Sequence, residues 1–107
     1  MTAMQTFYIR FYVHEDMKHG HRAIHDWLFE TARELGIPGG TVFRAAAGYG
    51  RHGAREDHFF ELAGKLPETV EFFAAADKIA ALIERLGKEG ARLVYVTHPV
   101  STGVTGG

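Results

Sequence analysis

The sequence predicts an α+β fold in which two amphipathic helices cover one face of an antiparallel sheet. Several segments alternate apolar and polar residues with a period of two, as half-buried strands do. Two other segments repeat apolar residues at the spacing of a helix face. Their order along the 107 residues is strand, helix, strand, strand, helix, strand. A chain of this length can bury a single core, so we expect one domain.

The first strand is expected at residues 6–14, where β-branched and aromatic residues alternate between two faces. One face carries the apolar set Phe7, Ile9, Phe11 and Val13. The opposite face carries Tyr8 and Tyr12 on either side of Arg10. Because aromatic side chains on a second face favour burial there as well, this face is expected to be covered by another subunit.

The first helix is expected from about residue 21 to residue 35. Its apolar stripe consists of Ile24, Trp27, Leu28, Ala32 and Leu35. Gly36 follows the stripe and Pro38 comes two residues later, which is a typical helix stop. Since Trp27 lies on the stripe, it is interpreted as a core residue and not as a platform for stacking a ligand.

The remaining elements follow from the same two patterns. Strands are expected at 41–47, 68–75 and 91–98, with a short strand segment at 58–62. A second helix is expected after an N-cap at Asp77, because its apolar residues have offsets of a helix face. Those residues are Ile79, Leu82, Ile83 and Leu86. This order is the split βαβ pattern of a ferredoxin-like sandwich, with one domain over 1–98 and a flexible tail over 99–107.

Composition excludes several classes of function. The 12 Lys and Arg residues balance 13 Asp and Glu residues, so the net charge is -1. Generic nucleic-acid binding needs a clear excess of cations, and no nucleic-acid partner is expected. The chain has no Cys, which excludes disulfides, thiolate metal sites and Cys nucleophiles. No segment has the length of a membrane span and residues 1–10 lack a signal-peptide pattern, so a cytoplasmic location and no membrane insertion are expected.

The glycine-rich segment at 48–55 is the first candidate site. It reads GYGRHGAR and carries Arg51 and Arg55 among glycines. Glycines expose backbone N–H groups that can bind an anion, and arginines add charge-assisted hydrogen bonds to phosphate. The alternative is a hairpin turn in which glycine is needed only for conformation. The segment lacks the Lys and Ser or Thr of a phosphate-binding Walker loop, and it does not begin a helix as a dinucleotide fingerprint does.

The second candidate site is a group of four histidines, His14, His19, His21 and His25. His21 and His25 are four residues apart and would share a helix face, and His14 at the end of the first strand could approach them. Imidazoles at this spacing can bind zinc, nickel or copper. The alternative, which we favour, is a set of surface histidines at the start of a helix, with no metal bound.

Hydrolytic chemistry has little support in the sequence. Ser101 is the only serine and lies in the expected tail, which argues against a serine triad. Glu56 and Asp57 beside His58 could take part in acid–base chemistry, but no residue supplies a nucleophile or an oxyanion hole. We therefore expect a protein that is not an enzyme.

One run of residues resembles a known family. Three features carry the resemblance: the run GTVFRAAAGYG at 40–50, the helix at 23–35 after Gly20 and before Gly36, and Leu66–Pro67 before the next strand. These features are similar to the PII-like family of domain of unknown function 190. Asp77 before the second helix also fits. The resemblance covers nearly all of residues 6–98.

The resemblance implies a ferredoxin-like subunit of a PII-like trimer. PII relatives are regulators that bind small ligands, often adenine nucleotides, in clefts between subunits, and they act on a protein partner through a long loop after the second strand. The matching segment here is 48–66. The expected ligand is a small anion, an adenine nucleotide, and no cofactor is required. The residues expected to line the cleft are Arg44, Gly48, Tyr49, Gly50, Arg51 and Arg55.

Two alternatives stay open at the level of sequence. One is a metal-responsive trimer of the same architecture that uses His14, His21 and His25. The other is a small ferredoxin-like enzyme that works without a cofactor, such as an oxygenase, which would need a His or an acid in a pocket behind the sheet.

Overall fold

The computed structural model describes residues 5–49 and 67–106 and contains one four-stranded antiparallel sheet with two helices. The elements are β1 (Thr6–His14), β2 (Lys18–His19), β3 (Arg22–Ala23), α1 (Ile24–Glu34), β4 (Gly40–Arg44), β5 (Pro67–Ala75), α2 (Ala76–Lys88) and β6 (Val94–Val100). In the sheet the strands lie in the order β4-β5-β1-β6. This order confirms the predicted α+β, ferredoxin-like fold.

The period-two alternation of β1 and β5 places one face of each strand in the core. Ile9, Phe11 and Val13 are buried on β1, and Val70 and Phe72 are buried on β5. The two strands pair in register along their full length, from Thr6 opposite Ala75 to His14 opposite Pro67. Strand pairing therefore joins two continuous apolar rows into one surface for the helices to cover.

Both helices pack the predicted stripes against this surface, with Leu35 and Ile83 partly buried. Ile24, Trp27, Leu28 and Ala32 are buried on α1, and Ile79, Leu82 and Leu86 are buried on α2. Trp27 is 7% exposed, which confirms its assignment to the core. Within the described residues, no helix is long and apolar enough to cross a membrane.

The helix ends differ in part from the predictions. Gly36, which follows the C-cap Leu35 of α1, has a φ of 82°, so the predicted stop is confirmed. Asp77 is not the N-cap of α2, because the helix begins at Ala76 and Ala75 occupies the cap position. Asp77 lies in the first turn instead, where its negative charge interacts favourably with the positive end of the helix dipole.

The start of α1 was also predicted too early. Residues 21–23 belong to a short hairpin in which β2 pairs with β3 around Gly20, which has a φ of 65°. Two-residue strands are too short for an alternation pattern, so the sequence did not reveal them. His19 of this hairpin stacks on Trp27, with ring centroids 3.7 Å apart.

The strand bounds shift by up to three residues. β4 ends at Arg44 instead of residue 47, and β6 runs from Val94 to Val100 instead of 91–98. Val100 pairs with Thr6, so the strand continues two residues beyond its predicted end. The predicted strand segment at 58–62 lies outside the described residues.

Candidate functional site

The candidate site lies at the end of the sheet where the chain leaves β4 and returns on β5. Arg44, the last residue of β4, is in register with Glu68 at the start of β5. One step beyond, the backbone N–H of Ala45 donates to the carbonyl oxygen of Pro67 over 2.9 Å. This pairing brings both ends of the predicted loop together, so side chains on either side of it share one location.

Glu68 is the charged residue at the centre of this location. It is 1% exposed, although it carries a carboxylate. Nη2 of Arg44 donates to its Oε2 over 3.3 Å. Nδ1 of His25, in the first turn of α1, lies 3.5 Å from its Oε1. The buried carboxylate therefore links β4, β5 and the start of α1.

Arg44 also contacts a second carboxylate. Its Nη2 lies 3.3 Å from Oε1 of Glu15, which follows β1. The Arg44 side chain is 58% exposed, so one part of it meets carboxylates while much of its surface faces solvent. Because guanidinium has five N–H donors, a group held in this way keeps capacity for a further anion.

The residues after Arg44 lead from the sheet into the predicted loop. A Cβ atom on Gly48 would lie 3.3 Å from Cγ of Pro67, so the absence of a side chain allows close approach to the start of β5. Tyr49 is 93% exposed. The structure thus brings Arg44, Gly48 and Tyr49 to one end of the sheet. The other three predicted cleft residues, Gly50, Arg51 and Arg55, lie outside the described residues.

Two of the three histidines of the metal alternative contact carboxylates, and these carboxylates differ. His14 contacts Asp16 through Nδ1. His25 faces Glu68 with one ring nitrogen, while its Nε2 lies 3.5 Å from Asp26. His21 is exposed. Across 5–49 and 67–106, no three His, Cys, Asp or Glu side chains are placed to hold a metal ion, so this geometry gives the metal alternative no support.

A second polar cluster lies on the face of the sheet opposite the helices. Nε of Arg10 is 3.5 Å from Oε2 of Glu71, and its guanidinium also donates to the hydroxyls of Tyr8 and Tyr12. The Tyr8 hydroxyl donates to Glu71, which also accepts a 2.8 Å bond from Thr69. Burial, and then the bond to Glu71, raise the pKa of Tyr8 above its ordinary value. Tyr8 is therefore held in its neutral form.

Apolar side chains surround this polar cluster. Phe43 and Phe73 are 54% and 53% exposed on β4 and β5, and Val94 and Val96 are 48% and 45% exposed on β6. The strand register places all four on the same face as Arg10, which is opposite Val96. This outer face therefore combines an ordered polar centre with exposed apolar surface.

Comparison with known proteins identifies the family. The family model for domain of unknown function 190 (uncharacterized ACR) matches residues 6–102. The chain belongs to this family. It is also 35% identical over 79 residues to a UPF0166 protein from Aquifex aeolicus (strain VF5), covering 73% of this chain and 75% of that protein.

Solved structures of PII-like proteins share the fold of this DUF190 chain. A PII-like signalling protein from Thermus thermophilus matches with a TM-score of 0.61 and 17% identity, covering 91% of this chain and 88% of that one. The protein CPII from Thiomonas intermedia K12, bound to ADP, AMP and acetate, matches with a TM-score of 0.64 and 14% identity, covering 94% and 91%. The resemblance expected from the sequence is thereby confirmed for family and fold.

Sequence reasoning missed Glu68 and Glu15 as members of the site. A signal for Glu68 was present, because alternate residues of a strand share one face. Glu68 therefore lies on the same buried face as Val70 and Phe72. A carboxylate at a core position of an alternating strand requires a buried partner. No comparable pattern marks Glu15, which reaches Arg44 only through the tertiary fold.

Proposed function

We propose that this chain is a PII-like regulatory protein. It forms a homotrimer, binds a small anionic ligand in the clefts between subunits and acts on a protein partner through the loop that follows β4. The proposed ligand is an adenine nucleotide. The observation that carries the proposal is the exposed Arg44, which contacts Glu68 and Glu15 where β4 leads toward Gly48 and the exposed Tyr49.

The chemistry of these residues supports an adenine nucleotide. A guanidinium suits phosphate oxygens, and the 58% exposed Arg44 is accessible to them. An exposed tyrosine ring can stack on a base, which is the part of a nucleotide that phosphate contacts leave unbound. Arg51 and Arg55 would supply further phosphate contacts. The ADP and AMP bound to the Thiomonas protein of the same fold support this choice of ligand class.

The outer face of the sheet supports the proposed trimer. Its exposed Phe43 and Phe73 lie beside Tyr8 and line an open pocket of about 570 Å³. Apolar surface of this kind on a sheet face opposite two helices favours cover by another layer. A second and a third copy of the chain would provide that layer and would bring neighbouring subunits close enough to form clefts.

Calorimetry with ATP, ADP and AMP tests the ligand. The proteins are the wild type, Arg51→Ala, Arg55→Ala and Gly50→Val, with Arg33→Ala as a control because Arg33 is exposed in the last turn of α1. Loss of either loop arginine should cost about 1.5–3 kcal/mol, or roughly ten- to a hundred-fold in affinity. Gly50→Val should also weaken binding, because a β-branched side chain hinders backbone approach and positive φ.

Light scattering on each protein separates binding from assembly. A wild type that binds none of the three nucleotides contradicts the nucleotide proposal. If the wild type and all variants bind nucleotide with equal affinity, the residues of this loop do not bind its phosphates. Loss of the trimer in Gly50→Val would show that this glycine serves assembly, and nucleotide affinity that persists in the dissociated protein would contradict a site between subunits.

A further inference from the structure

Glu68 is the most deeply buried ionisable group among the described residues at the proposed anion site. Its side chain is 2% exposed, whereas the side chains of Arg44 and Glu15 beside it are 58% and 31% exposed. A buried carboxylate is stable only when a cation or hydrogen bonds compensate its lost hydration. In the part of the chain that the structure describes, the cation beside Glu68 is Arg44, which Glu15 also contacts.

The His25–Glu68 contact is incomplete. Nδ1 of His25 and Oε1 of Glu68 are both buried and lie 3.5 Å apart, and neither has a hydrogen-bond partner among the described residues. This separation exceeds the 2.7–3.2 Å range of an N–H···O hydrogen bond by a few tenths of an ångström. The two atoms face each other with room for one proton between them and little need for movement.

The charges around this contact are unbalanced. Glu68 on β5 and Glu15 after β1 both face Arg44 on β4, and Asp26 on α1 faces the other nitrogen of His25. With a neutral imidazole, Arg44 is therefore the one positive side chain at this contact within residues 5–49 and 67–106, against the carboxylates of Glu68, Glu15 and Asp26. An anion that approaches Arg44 meets a cluster that is already negative, and their repulsion is strong because part of the cluster is buried.

We infer that the His25–Glu68 pair takes up a proton when an anion binds Arg44. The inference rests on the proposed function, since it concerns the same anion site. An anion competes with Glu68 for the guanidinium, which leaves the buried carboxylate without its cation. A proton shared by Nδ1 and Oε1 restores the balance and forms the missing hydrogen bond. In this scheme Glu68 is a positioning residue that holds Arg44. Protonated His25 compensates the charge of Glu68 when an anion occupies Arg44.

Proton uptake makes anion affinity depend on pH. Because the bound state holds more protons than the free state, affinity rises as pH falls. A full proton per site corresponds to about a tenfold gain in affinity for each unit of pH. The same coupling works in reverse, so anion binding favours the protonated pair and the site reports on pH and ligand together.

Calorimetric titration with ADP near pH 7 measures the proton count. Binding heats in buffers of different ionisation enthalpy give the number of protons taken up per site. The proteins are the wild type, Glu68→Gln, His25→Asn and the control His21→Asn, whose histidine is exposed four residues earlier. Titration of the free nucleotide's phosphate is the same in all four and cancels in the differences.

We expect the wild type and His21→Asn to take up about half to one proton more than Glu68→Gln, where no buried charge needs compensation. His25→Asn should show a smaller uptake at this pH, because an amide can bond to Glu68 without titrating. Equal proton counts in the wild type and both site variants, with ADP bound, overturn the inference alone. Absence of ADP binding in the wild type overturns the proposed function as well. Either site variant suffices if the other fails to fold.

Discussion

Truncation of Phe73 on the outer face of the sheet tests the proposed trimer most directly. Phe73 is 53% exposed in the single chain and lies opposite Tyr8 across the β1–β5 pair. A phenylalanine offers roughly 200 Å² for burial, so a subunit that covers this face would bury about 100 Å² more of it. Because alanine retains its Cβ, Phe73→Ala loses roughly 80 Å² of this burial, which at about 25 cal/mol per Å² weakens association by about 2 kcal/mol per subunit.

Three subunits carry three copies of this loss, or about 6 kcal/mol per trimer. The dissociation constant of a trimer scales with the square of the protein concentration at which half of the trimer is dissociated. This loss should therefore raise that concentration roughly 100-fold. A dilution series followed by light scattering measures this shift. Val104→Ala is the control, since Val104 is 88% exposed near the C-terminus and lies outside the sheet.

An equal midpoint for Phe73→Ala and the wild type would refute the assignment of this face to the interface. Urea unfolding of the same proteins at low concentration shows whether the substitution also affects the subunit fold. A wild type that stays monomeric at every concentration would refute the trimer, and with it the cleft between subunits.

Two further outcomes follow from contacts within the subunit. Because burial raises the pKa of Tyr8 above the value of about 10 in the unfolded chain, stability is complete below about pH 10 and falls as pH rises through the folded-state value. Urea midpoints from pH 9 to 12 should therefore fall less steeply in Tyr8→Phe than in Tyr49→Phe, and equal slopes would contradict this. Gly40→Ala should lower the free energy of unfolding by about 1–3 kcal/mol, because its Cβ would lie 2.4 Å from Cε1 of Phe72. Gly39→Ala has open space and should change it by less than about 0.5 kcal/mol, so equal effects at the two glycines would show that the core accommodates the methyl group.

Much of the fold could be predicted because local pattern and tertiary burial coincide. The alternation of β1 and the helical spacing of Leu82 and Leu86 each identify one apolar face, and that face packs into the core between sheet and helices. Boundaries were less accurate, since caps and strand ends depend on pairing. Ala75, for example, occupies the N-cap of α2 after pairing with Thr6 as the last residue of β5.

The candidate site was predicted only where one segment carries it. Arg44, Gly48 and Tyr49 stand close together in the sequence, so their common location follows from chain connectivity. The carboxylates that hold Arg44 come from separate elements, with Glu15 after β1 and Glu68 on β5. Their approach depends on the order of strands in the sheet, which a single segment does not encode.

By itself the sequence determined the fold class, the apolar faces and the family, because each depends on residue patterns within a few turns or strands. Only the tertiary structure decided that His14 and His25 contact different carboxylates and that Glu68 is buried between Arg44 and His25. The physical reason is that charge interactions act through space over a few ångströms. Their partners are set by strand register and helix packing, whereas hydrophobic periodicity is already present in the linear chain.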